Sequence, residues 1–277
     1  MYLTVNGARL FFDAVGPRLS IDGPRMAERP ALVVLHGGPG FDHSLMRPYF
    51  DRFADTHQVI YIDHRGNGRS GGEADTWRLS QWGDDVKALC DALGVVKPAV
   101  YGLSFGGMVA MDYASRHPDH PAKLILSSTA ASLKLEVTYE MMEARGVAET
   151  FWTAPNAEAV AEYMAVCMPL YNPRPNPDSQ QMQRAIMRTE VMFHFIAGEQ
   201  RTMDMLGELA KIACPTLVTA GGVDPITPPA CSEAIFAALP KGAAELEIFE
   251  AAGHGVHRDE PERAEASLRR FLMKDAA

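Results

Sequence analysis

Ser104 is the residue of this sequence most clearly placed to do chemistry. The segment YGLSFGG holds it between Gly102 and Gly106, after an apolar run that predicts a strand and before a stretch that predicts a helix. A serine on so sharp a turn is exposed for nucleophilic attack, and the helix behind it points its amide groups toward the hydroxyl. Side chains at the two glycines would collide with neighbouring elements. We therefore predict that Ser104 is a nucleophile.

A serine hydroxyl needs a base, and the base needs a group that orients it. The segment AAGHGVHRDEPE offers His254, whose flanking glycines free the backbone, and His257, which lies closer to the predicted start of the last helix. We favour His254. Asp224 follows a strand in TLVTAGGVDPITP, at the strand end where open α/β sheets hold functional groups. The predicted catalytic residues are thus Ser104, Asp224 and His254, an order along the chain that such triads are known to adopt.

The run LVVLHGGPG predicts a buried strand that stops at a turn with a bare backbone. When a serine attacks a carbonyl, the tetrahedral intermediate carries an oxyanion that needs two N–H donors. We expect the N–H of Phe105, the residue after the nucleophile, to be one donor and that of Gly38 to be the other, with Gly37 as the weaker choice. His36 is expected to brace this loop by hydrogen bonding.

The elements that must position these residues alternate along the chain. LTVNGARLFF predicts a hairpin at Asn6-Gly7, and Ser80 is placed to cap a helix that runs to Leu93 and stops at Gly94. Further strands are predicted in ALVVLH, QVIYIDHRG, PAVYGLS, KLILSST, PTLVTAGG and AELEIFE, and further helices in FGGMVAMDYASRHP, near Thr227-Pro228 and from about Glu260 to Met273. This alternation indicates an α/β protein with a mostly parallel, twisted sheet flanked by helices.

One stretch interrupts the alternation. Residues 132–210 contain only helix-like segments, and we interpret them as a helical cap, or lid, inserted into a core formed by residues 1–131 and 211–277. Nine of the fifteen methionines fall in this stretch, and we interpret them together as a pliable apolar wall: Met141, Met142, Met164, Met168, Met182, Met187, Met192, Met203 and Met205.

Composition excludes several classes of protein. The net charge of −9 argues against a nucleic-acid-binding face, and no apolar run approaches the ~18 residues that a membrane span needs. The N-terminal MYLTVNGARLFF lacks a signal-peptide pattern. The four cysteines have no metal-site spacing: Cys90, Cys167, Cys214 and Cys231. We expect a cytoplasmic protein with reduced thiols that acts on a small molecule and binds no metal, nucleic acid or membrane; its oligomeric state is left open.

Five ordered motifs resemble the α/β-hydrolase superfamily, and within it the proline iminopeptidase-like branch: HGGPG at 36–40, DHRGNGRS at 63–70, GLSFGG at 102–107, GGVDPITP at 221–228 and GHGVHRDEPE at 253–262. The resemblance covers about two thirds of the chain. It implies the α/β-hydrolase fold with a helical cap, the same triad and oxyanion-hole residues, and no cofactor.

The resemblance says less about the substrate. Peptidases of this branch usually carry Gly-Gly-Ser-Trp-Gly-Gly at the nucleophile turn, whereas Leu103 and Phe105 stand here. Those peptidases hold the substrate's free amine with cap carboxylates, for which Glu162, Glu190 and Glu199 are available. We predict substrate contacts at Gly37, Glu190, Met192 and His257.

Two enzyme functions and one of another class follow. The first is a serine hydrolase that cleaves small carboxylic esters or lactones through an acyl-enzyme, and the second is an aminopeptidase that releases N-terminal proline. Cofactor-free oxygenases, carbon–carbon bond hydrolases and perhydrolases use the same triad, while epoxide hydrolases and haloalkane dehalogenases need a carboxylate where Ser104 stands. The third function is a non-catalytic ligand receptor on a hydrolase scaffold.

Overall fold

The protein is described by a computed structural model, and the structure describes residues 1–133, 151, 153–154 and 156–274. Its main sheet has eight strands in the order β1-β2-β6-β5-β7-β8-β9-β10, and a separate hairpin pairs β3 with β4. The strands are β1 (Tyr2–Val5), β2 (Ala8–Val15), β3 (Leu19–Asp22), β4 (Arg25–Glu28), β5 (Ala31–Leu35), β6 (Gln58–Ile62), β7 (Ala99–Leu103), β8 (Lys123–Ser127), β9 (Thr216–Gly221) and β10 (Ala244–Phe249). From β6 to β10 all pairs are parallel, while β1 and β2 add an antiparallel edge.

Helices follow the strands. They are α1 (Leu79–Leu93), α2 (Phe105–Arg116), α3 (Ala157–Val166), α4 (Gln181–Arg184), α5 (Thr189–Ala197), α6 (Pro229–Ala238), α7 (Val256–Asp259) and α8 (Pro261–Met273). Short 3-10 helices span His43–Met46, Tyr49–Asp55, Ala74–Thr76, Met168–Leu170, Glu199–Arg201 and Leu206–Lys211. In the described ranges, no helix is long and apolar enough to cross a bilayer.

Apolar side chains cover the sheet on both faces. One core cluster joins strand residues such as Val33 to Trp82 of α1 and Val109 of α2. A second cluster on other strand positions, including Val34, contains Phe271 of α8. Because successive strand residues point to opposite faces, burial on both sides explains the continuous apolar runs of the strands. The predicted α/β class and flanking helices are confirmed.

Helix α1 shows one correct and one wrong prediction about helix ends. Gly94 ends the helix at a φ of 65°, a left-handed conformation that glycine adopts without strain. The prediction that Ser80 caps the start is wrong, because Arg78 is the N-cap residue and Leu79 begins the helix. The Leu79 N–H donates to the Glu199 carboxylate at 2.8 Å, so a residue distant in sequence satisfies the amide that a local cap would take.

Between β8 and β9, the described residues form helices and turns, with one isolated bridge between Ser132 and Asp204. The predicted methionines Met141 and Met142 lie outside the described residues. The sequence analysis also missed the hairpin of β3 and β4, in which most residues are exposed. An exposed hairpin lacks the apolar alternation by which a half-buried strand is recognised.

Candidate active site

Ser104 lies on a sharp turn between β7 and α2. Its backbone has a φ of 52° and a ψ of −119°, in a region that side chains other than glycine rarely occupy. A Cβ at Gly102 would approach the Gly106 carbonyl oxygen at 2.4 Å, and one at Gly106 would approach the Leu35 oxygen at 2.3 Å. The predicted collisions at both glycines are confirmed. Backbone hydrogen bonds fix the turn, since the Ser104 N–H donates to Ser127 at 2.9 Å.

His254 and Asp224 form a buried pair at the ends of β10 and β9. The Asp224 Oδ2 atom lies 2.9 Å from His254 Nδ1, and the carboxylate is only 1% exposed. Since an ionised carboxylate only accepts, Nδ1 carries the proton and Nε2 is left free to act as a base. Asp224 also accepts from the N–H groups of Ile226 and Thr227 and from the Thr227 hydroxyl. These donors fix the carboxylate and keep it an acceptor.

The loop that carries His254 is held by residues from two directions. The His254 N–H donates to the Tyr171 carbonyl at 2.7 Å, and the Gly255 N–H donates to Asn172 Oδ1 at 3.2 Å. From the other side, Asp259 accepts from the Gly253 N–H at 2.8 Å. Sequence reasoning missed Tyr171, Asn172 and Asp259 as supports of the histidine. An Asn-Pro pair at 172–173 signals a turn but does not indicate what the turn contacts.

The two predicted oxyanion donors lie on either side of Ser104. As the first residue of α2, Phe105 has an N–H without an intrahelical acceptor. Gly38 has a φ of 68°, and its N–H finds no acceptor in the part of the chain that the structure describes. Gly37 is packed directly on the nucleophile, because a Cβ there would lie 3.2 Å from that of Ser104. All three residues line the same cavity.

His36 holds the glycine loop from behind. Its Nδ1 atom lies 3.0 Å from the Gly37 carbonyl, and its Nε2 atom accepts from the His64 N–H at 3.3 Å. One ring nitrogen must therefore donate while the other accepts, which defines a neutral imidazole. Complete burial lowers the pKa of His36, in keeping with that neutral form.

A buried charge network lies beside this loop and joins Asp42 and His43 to Asp63 and Arg69 of the DHRGNGRS segment. Asp42, His43 and Asp63 bring potential metal-ligand atoms within 4.8 Å of one another. Their carboxylates are already paired, since Asp63 lies 2.6 Å from His43 Nδ1 and Asp42 lies 2.5 Å from Arg69. Burial alone would raise the pKa of Asp63, but the hydrogen bonds from the His43 side chain and backbone, with the neighbouring imidazoles, lower it to about 2. The two carboxylates thus have partners within the network, which braces the loop.

A cavity of about 170 Å³ lies between Ser104 and the helices that follow β8. Its walls are mostly apolar and include Met164, Met192 and Ile196, while His254 and Thr227 lie at its edge. An engineered cavity of roughly 150 Å³ admits benzene, so this one fits a small apolar group. Ser104 and His254 both line it, and no hydrogen bond joins their side chains among the described residues.

The structure brings together only some of the predicted substrate contacts. Gly37 and Met192 line the cavity beside Ser104. Glu190 does not, because its carboxylate is exposed at the start of α5 and lies 3.9 Å from Arg188. His257 is also absent from this cavity and lines a neighbouring one, where its ring packs 5.1 Å from that of Tyr49.

The remaining acidic residues considered for amine binding are also occupied elsewhere. Glu162 is exposed on α3, and Glu199 binds the start of α1. Over the described ranges, no aspartate or glutamate lines the cavity beside Ser104.

A serine at a strand–turn–helix junction, beside a histidine–aspartate pair at the carboxyl edge of a mostly parallel sheet, defines the α/β-hydrolase class. A family model described as serine aminopeptidase, S33, matches residues 27–261. The chain therefore belongs to this family of α/β hydrolases and is proline iminopeptidase-like.

Three similar proteins illustrate the range of the family. A Caulobacter sp. (strain K31) protein provisionally named carbamate hydrolase RutD is 28% identical over 88% of this chain and 91% of its own. The proline iminopeptidase of Clostridium botulinum is 29% identical over 92% and 94%. A thermophilic esterase from Thermogutta terrifontis, solved with malate bound, has 25% identity and a TM-score of 0.72 over 98% of this chain and 96% of its own. The chain is thus an α/β-family hydrolase.

Proposed function

We propose that this protein is a serine hydrolase that cleaves small carboxylic esters or lactones carrying a short apolar acyl group. The observation that carries the proposal is that Ser104 and the Asp224–His254 pair meet at one small apolar cavity. The helical stretch 132–210 acts as the cap over this cavity in the proposal, and its methionines receive the acyl group.

The chemistry proceeds in two halves. His254 Nε2 takes the proton of Ser104 as Oγ attacks the substrate carbonyl, and Asp224 stabilises the imidazolium that forms. The N–H groups of Phe105 and Gly38 stabilise the oxyanion. Collapse of the intermediate releases the alcohol, which takes the proton from His254. Water, activated by the same histidine, then hydrolyses the acyl-enzyme.

The lining of the cavity favours an ester over an N-terminal proline peptide. An aminopeptidase must bind a substrate ammonium group, and a carboxylate does this best in an apolar site. The described lining includes no such carboxylate, and Glu162, Glu190 and Glu199 are engaged or exposed elsewhere. We also propose a cytoplasmic location, in keeping with Cys90, Cys214 and Cys231, none of which forms a disulfide.

A substrate panel tests the proposal. Wild type and Ser104→Ala are assayed on p-nitrophenyl acetate, butyrate and octanoate, on a small lactone, and on proline naphthylamide with and without an N-blocking group. We expect Ser104-dependent activity that is highest on the short esters or the lactone. Activity confined to the free-amine proline amide would establish the aminopeptidase instead. A folded wild-type protein whose Ser104 reacts with no fluorophosphonate probe and no substrate would favour a receptor.

A further inference from the structure

A second cavity adjoins the apolar cavity and has His254 in its lining. Its volume is about 420 Å³, and it shares Leu103, Tyr171 and His254 with the apolar cavity. Of the two cavities, Ser104 lines only the first while His254 lines both, so the second cavity adjoins the reacting groups at the histidine. In a serine hydrolase, the histidine protonates the leaving group. The second cavity, which we call the outer cavity, therefore lies where a leaving group would extend.

The outer cavity differs in chemistry from the apolar one. Asn172, Asn176, Asp178 and Arg258 all line it. Asp178 is neutralised, because its carboxylate accepts from Arg184 in an ion pair. The amides of Asn172 and Asn176 are also engaged, with the Gly255 N–H and with Gln181.

Arg258 is the charged group with unused capacity. In the described ranges no carboxylate lies within ion-pair distance of its guanidinium, whose Nη2 atom donates to the Arg174 carbonyl at 2.9 Å. Its Nε atom is buried without an acceptor. Since a guanidinium has five N–H donors, most of them remain open to a ligand. An unpaired cation in a partly buried cavity favours an anion, above all a carboxylate that can bind two donors at once.

The other charged groups around the outer cavity do not change this balance. The ring of His257 lines the cavity, but burial lowers its pKa to about 4, so it is neutral at pH 7. Asp259 follows Arg258 in sequence and attracts its charge, but it forms no ion pair with Arg258, accepts from the Gly253 N–H and does not line the cavity. Glu262 lines only a further groove toward the surface, where Arg47 and Arg52 are paired with other acids.

We propose that the outer cavity is a leaving-group subsite for an alcohol that carries a carboxylate, with Arg258 as its anchor. This inference rests on the proposed function, and it specifies the substrate as a short apolar acyl group esterified to an anionic alcohol. In a lactone, the same two halves belong to one molecule. The bond that breaks is the ester C–O bond, and the alkoxide oxygen takes its proton from His254 while its carboxylate stays on Arg258.

A matched pair of esters tests the subsite. 3-Acetoxybenzoate and its methyl ester share the acetyl group and the phenolic leaving group, and they differ in one negative charge. For the wild type we expect kcat/KM to be higher for the carboxylate. Arg258→Gln should lower kcat/KM for the carboxylate about tenfold or more, mainly through KM, since one charge-assisted hydrogen bond contributes on that order. The methyl ester should change by less than about twofold, and Arg258→Lys should retain part of the preference.

Arg270→Gln is the control, because it removes the same charge from an arginine that pairs with Glu245 at a distant surface. It should leave both esters unaffected. Equal losses on both esters in Arg258→Gln would overturn the subsite and assign Arg258 a structural role, as would a wild type with no preference for the carboxylate. A wild type inert on both esters would instead refute the proposed function, so the two failures are distinguishable.

Discussion

The core and the residues between β8 and β9, which we propose as an inserted segment, contribute different things to the same cavity. The core supplies the groups that would do chemistry, each at the carboxyl end of a strand: Ser104 after β7, Asp224 after β9 and His254 after β10. The inserted segment supplies apolar walls, including Met164, Met192 and Ile196. Groups on tight turns are fixed by the backbone, whereas an apolar side chain on a helix can be exchanged for another of similar volume at a small cost in stability. In the proposed function, reactivity and substrate choice thus reside in different parts of the chain.

The two regions nevertheless touch at both halves of the site. The Arg188 N–H donates to the Gly40 carbonyl at 2.7 Å, which ties α5 to the glycine loop. The Tyr171 carbonyl accepts from the His254 N–H, which ties the inserted segment to the histidine. A displacement of the inserted segment would therefore move groups on both sides of Ser104. Variants in each region can distinguish residues that take part in the reaction from residues that hold them in position.

The largest effect is expected from the core. Ser104→Ala should lower kcat for the best ester by about 10⁴-fold or more, since removal of a nucleophile leaves only binding and oxyanion stabilisation. Steady-state assays with a matched far-UV spectrum measure this. Ser80→Ala is the control, because it removes a hydroxyl from α1, away from the cavity, and should retain full activity. Equal activity in Ser104→Ala and wild type would contradict the assignment of the nucleophile.

A glycine of the core should be far less replaceable than one of the inserted segment. Gly106→Ala would bring a Cβ to 2.3 Å from the Leu35 oxygen, whereas a Cβ at Gly207 meets nothing within 4 Å. We expect Gly106→Ala to lower the free energy of unfolding by about 3 kcal/mol or more, and Gly207→Ala to change it by less than about 0.5 kcal/mol. Urea unfolding followed by circular dichroism checks both. Similar unfolding midpoints for Gly106→Ala and Gly207→Ala would contradict the expected difference between the two regions.

The same contrast explains what the sequence could predict. A nucleophile turn needs small residues at fixed spacing, so Gly102 and Gly106 indicated Ser104 directly. The sheet was predictable because strands buried on both faces are apolar throughout. The exposed hairpin of β3 and β4 has no such pattern and was missed.

Contacts between segments that are distant in sequence could not be predicted from such patterns. Glu199 binds the start of α1, where a local cap at Ser80 was expected, and Asn172 supports the histidine loop. Each of these contacts depends on one polar side chain that meets its partner only in the folded protein. No residue spacing in the sequence indicates which partner that is. Glu190 and His257 do not line the cavity beside Ser104 for the same reason, since a position near His254 or near the start of α5 along the chain does not place a side chain in that cavity.

A smaller effect should appear where the core faces the inserted segment. Burial raises the pKa of Asp112 on α2 to about 6, with further contributions from Asp84, Glu199 and Glu208, against the opposing charge of Arg116. The Asp112 carboxyl thus binds its proton more tightly in the folded protein than in the unfolded chain, where its pKa is 3.8. Below about pH 4 the carboxyl is protonated in both states and costs no stability. The free energy of unfolding then falls as the pH rises through about 6, and the full loss is reached above that pH.

Asp112→Asn should accordingly stabilise the protein at pH 8 by about 1–3 kcal/mol, since each pKa unit corresponds to about 1.4 kcal/mol, and should have little effect at pH 4. Unfolding in urea at the two pH values measures this. Asp75→Asn, on an exposed turn, provides the control and should be neutral at both. A gain of the same size at both pH values would mean that packing, not charge, is responsible.

The smallest effect is expected at the contact between the inserted segment and the histidine loop. Asn172→Ala removes the acceptor of the Gly255 N–H but leaves the backbone bond from His254 to Tyr171 in place. The loop should stay folded while the imidazole is held less well, so we expect kcat to fall about tenfold with little change in thermal stability. Asn172→Asp keeps an acceptor oxygen and should stay within about threefold of wild type. If both variants lose activity equally, the acceptor is not what matters. If neither does, the core alone orients His254, and the inserted segment serves only to shape the cavity.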